Sequence, residues 1–131
     1  MSDWVEATRI KSVQLLYTMI WQCEAHITMS LETVLQTLFK ASHENCKEIQ
    51  TEIHKCAKLL GHFTDPSLSF RFAYKAVQKL EVPNPGSLVI LNGLILGHGD
   101  RTPFPIIIEY LKLLNEISLT VDVSLKIHLA A

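Results

Sequence analysis

The chain has 131 residues, 48% of them hydrophobic, and its 12 Lys and Arg against 13 Asp and Glu leave a net charge of -1. That length accommodates one domain, residues 1–131, with a core of its own, and the charge balance excludes a global attraction to nucleic acid or anionic membranes. The densest apolar stretch, residues 88–96, is interrupted by Asn92 and Gly93 and falls far short of the about 20 residues that a membrane helix needs, so no membrane span is expected.

Residues 4–26 read as a helix, with Ile10, Val13, Tyr17, Ile20 and Ile27 at alternating three- and four-residue steps and Glu24 as the one break in that seam. Thr28, Met29 and Ser30 offer a cap. A second helical pattern starts at Leu31, Val34, Leu35 and Leu38 and resumes through Cys46, Ile49, Ile53, Ala57 and Leu60. Unbroken, it would be about 45 Å long, so a kink or break is expected near Ser42. Gly61 reads as its C-terminal cap.

Asp65 followed by Pro66 is an N-cap with proline in the first turn, opening a helix to about Glu81, which Val82-Pro83-Asn84-Pro85-Gly86 terminates. Residues 87–96 suit a short buried helix bracketed by Pro85 and Gly97, with a buried strand as the rival. His98-Gly99-Asp100-Arg101 reads as a loop. Thr102-Pro103 opens a helix from Phe104 to about Glu116, with Ile107, Tyr110, Leu111 and Leu114 on one face. Leu119, Val121, Val123, Leu125, Ile127 and Leu129 then alternate with Thr120, Asp122, Ser124, Lys126 and His128, the period of a strand with one dry face. A lone strand cannot satisfy its own backbone. Pairing with its copy about a two-fold axis would satisfy both, so residues 119–129 are expected to form a homodimer interface. No linker, low-complexity tract or internal repeat is apparent.

The three cysteines, Cys23, Cys46 and Cys56, have no framework spacing, and the opening Met-Ser-Asp-Trp lacks a secretory signal's basic and apolar regions. Both point to a reducing compartment, cytoplasm or nucleus. His43, Cys46, His54, Cys56 and His62 invite a metal reading. On a straight helix, however, His43 and His54 stand about 16 Å apart, far beyond one zinc shell with bonds of about 2 Å. No metal and no cofactor is expected.

The most enzyme-like fragment is residues 97–101, where His98 beside Asp100 resembles an oriented base. The same residues also describe a plain connection, with Gly97 capping, Gly99 turning and Asp100 and Thr102 capping the next helix. Arg71, Lys75 and Lys79 form a basic ridge with Tyr74 beside it, opposite a buried seam of Phe70, Ala73, Val77 and Leu80. Such a ridge can straddle phosphates while Tyr74 stacks on a base. Glu44, Glu48 and Glu52 form an acidic ridge of identical spacing that can pair with it. Trp4, Tyr17 and Trp21 give the first helix an aromatic seam. Trp4, near the terminus, is a candidate interface anchor.

These readings predict a mainly α domain of five or six helices with a single C-terminal strand. The expected function is a non-enzymatic, intracellular protein–protein interaction or assembly module that self-associates. A small RNA- or DNA-binding regulator using Arg71, Tyr74, Lys75 and Lys79 is the alternative, and an enzyme around His98 and Asp100 the third reading.

Overall fold

A computed structural model describes the backbone of residues 2–43, 46–80 and 85–130, and the side chains of those between 4 and 121. Glu44 and residues 81–84, which carry part of the expected acidic ridge and helix terminator, lie outside it. Six α-helices follow one another: α1 (Ser2–Cys23), α2 (Leu31–Ala41), α3 (Lys47–Phe63), α4 (Pro66–Lys79), α5 (Pro85–His98) and α6 (Phe104–Ala130). Short 3-10 turns at Glu24–Ser30 and Gly99–Arg101 join α1 to α2 and α5 to α6.

Local chemistry accounts for most boundaries. The first seam is buried at Val13 and Ile20 and resumes at Ile27 after the chain turns. Glu24, its one interruption, takes a left-handed backbone at φ 49° and starts the 3-10 turn. α1 therefore ends at Cys23, earlier than expected, and Ser30 stands before α2 without a side-chain cap bond. A side chain at positive φ costs about 1–2 kcal/mol. Glu24 is exposed, so Glu24→Gly is expected to raise stability by about 0.5–1 kcal/mol once glycine's extra unfolded entropy is counted. A urea melt checks this, and a lower midpoint for the variant would contradict it.

The break expected near Ser42 is present: α2 ends at Ala41 and α3 begins at Lys47. Ser42 folds its hydroxyl onto the Phe39 carbonyl (2.6 Å), and Gln50 donates from Nε2 to the Ser42 carbonyl at 2.9 Å, tying the two helices together. Asp65 caps α4 by accepting from the Leu68 amide at 3.2 Å, with Pro66 in the first turn. Residues 87–96 lie within α5 and are helical.

Two glycines read as caps have another role. Gly61 lies inside α3, and a Cβ there would stand 2.5 Å from the Leu94 carbonyl oxygen. Gly97 lies inside α5, where a Cβ would overlap the Lys58 carbonyl oxygen. Gly93, one turn earlier, faces the Ala57 methyl at 2.8 Å. These small residues bring α3 and α5 together nearly backbone to backbone, the most extensive helix contact among the described residues. The turn out of α5 is made instead by Gly99, at φ +57°.

Residues 119–129 are not a strand. α6 continues without interruption to Ala130, and no strand occurs among the described residues. Its buried seam runs through Tyr110, Leu113 and Ile117 to half-buried Val121, a three- and four-residue spacing that carries straight into the alternating stretch. Leu111 lies outside that seam, 57% exposed. A helix satisfies its backbone within the segment, whereas a strand would need a partner strand, and none occurs among the described residues. The expected pairing of two copies through this segment thus loses its structural basis. The side chains of Val123, Leu125, Ile127 and Leu129 lie outside the described residues.

α1, α3 and α5 lie side by side with α3 in the middle, and α2, α4 and α6 do the same with α4 in the middle. Three consecutive helix pairs therefore stack in two layers, enclosing a core of Leu35, Leu38, Ile49, Ile53, Leu60, Ile90 and Leu91. This repetition was invisible as sequence self-similarity, because each pair shares only the spacing of its apolar positions.

Candidate functional site

His98 closes α5 and is 1% exposed. Its Nδ1 lies 2.9 Å from the Gly61 carbonyl, which can only accept, so Nδ1 carries the proton. Nε2, 3.3 Å from the Tyr110 hydroxyl, then accepts from it. Burial, reinforced by the nearby Arg101 charge, holds the imidazole below its ordinary pKa of 6.5, against the opposing influence of the Gly61 bond and Asp65. Burial likewise pushes the Tyr110 phenol well above its usual range. Both ring nitrogens are occupied, and Asp100 lies exposed and is not among the partners of His98.

Arg101 belongs to the same junction. Its guanidinium donates to the carbonyls of Gly61 (2.7 Å) and His62 (2.8 Å), with longer contacts to Thr64 and Gly97. Gly61 and His62 belong to the last turn of α3, whose carbonyls lack helical partners, and a cation there also answers the helix dipole. Thr64 returns its hydroxyl to the Leu60 carbonyl at 2.7 Å and bonds the Ser69 hydroxyl. Residues 97–101 thus lock the end of α3 to α5 and α6, with the side chains of His98 and Arg101 both engaged in the connection.

The histidines and cysteines do not converge. His54 bonds Asn92 across α3 and α5 at 3.0 Å. Cys56 points its thiol at the Val13 carbonyl (3.5 Å), and burial, with Glu52 adding to it, pushes its pKa up to about 12. Among the described residues no three His, Cys, Asp or Glu side chains are placed to hold a metal ion, and no helix is long and apolar enough to cross a membrane.

The basic ridge is present: Arg71, Tyr74, Lys75 and Lys79 are all exposed on α4, with Ala73 and Val77 buried opposite. Lys75 leans over the Phe72 ring at 5.9 Å. Among the described residues no ion pair joins it to the acidic ridge. Glu52 pairs instead with Lys55 of its own helix, at 3.5 Å.

The surface holds two further features. Between α1 and α2, reaching Ile49 of α3, lies an apolar groove of about 560 Å³ walled by Leu15, Leu16, Met19 and Ala41. Arg9, Ser12 and Lys40 stand at its rim. The second groove, of about 460 Å³, runs across α1, α3 and α5 and is lined by Tyr17, Trp21, Lys55, Lys58, Leu59 and Leu96. Lys55 Nζ sits over the Tyr17 ring, 5.0 Å from its centre. Trp21, 50% exposed, meets the edge of Phe63 with ring centres 5.6 Å apart at 78°. Trp4, 74% exposed at the start of α1, and Leu119 on α6 add exposed apolar surface. The sequence flagged Tyr17 and Trp21 but not Lys55, Lys58 or Leu96, which reach the groove from other helices.

A family model described as the HEAT-repeat domain of dynein axonemal assembly factor 5 matches residues 1–124. Proteins of that name are similar to this chain: that of Mus musculus is 34% identical over 96 residues, and that of Homo sapiens 32% over 96 residues. In each case the alignment covers 73% of this chain and 11% of the relative. For the Xenopus laevis protein the figures are 35% identity over 78 residues, 60% of this chain and 9% of the relative. The chain thus spans about a tenth of the length of these relatives. No solved structure matches it.

Proposed function

We infer, because the chain belongs to the HEAT-repeat domain family of dynein axonemal assembly factor 5, that it is a non-enzymatic protein-interaction module working as one domain in the cytoplasm. Its role is to hold a protein partner during the assembly of axonemal dynein, the process named for its relatives. The observation that carries this reading is the two-layer stack of helix pairs with grooves open on its surface, the form in which repeat proteins present extended binding faces. The interior supports it: the catalytic-looking His98 spends both ring nitrogens on Gly61 and Tyr110. Trp4 and Leu119 are proposed to add to partner contact, since large exposed apolar side chains serve interfaces well.

Removing the chain from cells that make it, and measuring axonemal dynein in isolated axonemes, tests the reading. Axonemal dynein is expected to fall several-fold and to return when the chain is restored. Unchanged dynein would overturn the assembly role.

A further inference from the structure

We propose that the groove across α1, α3 and α5 is a docking site for an acidic segment of a partner protein that carries an apolar anchor side chain. This rests on reading the chain as an interaction module and names the chemistry of what it holds.

Three observations converge. First, the groove is cationic in a chain that is not: Lys55 and Lys58, three residues apart on α3, both line it, although the net charge of the chain is -1. Lys55 is held in place between the Glu52 carboxylate at 3.5 Å and the Tyr17 ring at 5.0 Å. Lys58 is exposed and has no ion-pair partner among the described residues. Glu52 is already paired with Lys55, so Lys58 is left to meet a carboxylate.

Second, apolar surface stands open beside these charges. Trp21 is held edge-on by Phe63 and keeps half of its surface in water, and Leu96 is 53% exposed on the facing helix. A rigid, half-exposed indole next to an aliphatic wall is the kind of pocket in which an anchor residue is buried. Third, the walls are fixed. Gly97, which lines the groove, lies hard against the Lys58 backbone, so α3 and α5 present their side chains from a rigid base and little ordering is needed on binding.

Lysines beside aromatic rings also suit single-stranded nucleic acid. The aliphatic members, Leu59 and Leu96, and the small number of cations favour a protein segment, because nucleic-acid sites owe their affinity to many phosphate contacts.

The test uses the full chain and a fluorescein-labelled peptide of Asp and Glu around a Leu–Phe pair, with its Lys-substituted counterpart and oligouridylate as comparison probes. Anisotropy is expected to show micromolar binding of the acidic peptide, weakened about tenfold by Lys58→Glu, further by adding Lys55→Glu, and by salt. The accompanying change in tryptophan emission is expected to vanish in Trp21→Phe. Both lysines are exposed, and circular dichroism melts verify that their variants fold. Silence of the acidic peptide at millimolar concentration, equal binding by the Lys58→Glu chain, or tighter binding of oligouridylate would each overturn the proposal. In cells, a Lys55→Glu/Lys58→Glu chain that fully restores axonemal dynein would refute the groove and leave the assembly role standing. A wild-type chain dispensable for dynein would refute the assembly role, with the peptide result then deciding the groove alone.

Discussion

Replacing Gly97 with alanine is expected to cost the fold about 3 kcal/mol, at the upper end of what an added methyl in a packed interior does. In a melt that is a fall of roughly 10 °C for a chain of this size. The reason is geometric. The new Cβ would overlap the Lys58 carbonyl oxygen and press on the His62 amide, and both belong to helix backbone that no rotamer change can move aside. Gly61→Ala, aimed at the Leu94 carbonyl from 2.5 Å, should behave alike. Gly99→Ala is the contrast: nothing lies within 4 Å of its would-be Cβ, and only the φ of +57° opposes it. That variant should lose about 1–2 kcal/mol. Should Gly97→Ala melt like the parent chain, the close approach of α3 and α5 would be wrong.

His98→Ala is the second large effect, with a loss of about 3 kcal/mol expected. It opens a cavity in a closed site and strips the buried Tyr110 hydroxyl of its acceptor. Its pH dependence has a definite sign. Burial, with Arg101 second, holds the folded-state pKa below 6.5, so on acidification the unfolded chain takes up this proton first. The stability linked to His98 is present in full above the unfolded value and is lost as pH falls through the folded one. The stability difference between wild type and His98→Ala should therefore shrink below about pH 6.5, which urea melts across that range would show. A difference that stayed constant or grew on acidification would contradict the neutral, buried imidazole.

Much of the helical organisation can be read from the chain because it depends on neighbours in sequence. The Asp65-Pro66 start, the break at Ser42 and the seams of α1 to α4 all follow from local spacing and capping. The glycines show where such reading ends. Ala57 and Gly61, like Gly93 and Gly97, stand four residues apart, yet a glycine near a helix end signals a cap or a close approach equally well, and only the facing helix decides. The stretch at residues 119–129 misled for a related reason. Its alternation is genuine, but Leu113, Ile117 and Val121 already set a helical rhythm leading into it. Neither Gly nor Pro interrupts residues 106–131, and Asp122 with Lys126 fits an i,i+4 helical pair. A period-two pattern wins only where a neighbouring strand exists. The groove could not be assembled from sequence at all, since Trp21, Lys58 and Leu96 come from three helices that meet only after folding.

The glycine contact between α3 and α5 also bears on the groove that crosses them. The two helices meet through Ala57, Gly61, Gly93 and Gly97, so their backbones stand closer than larger side chains between them would allow. That approach sets how far apart Lys58 and Leu96 stand, since they line the same groove from the two helices. The smallness of a few residues thus fixes the width of a binding groove, and a single methyl at Gly93, set against Ala57 at 2.8 Å, would push the two helices apart and widen it.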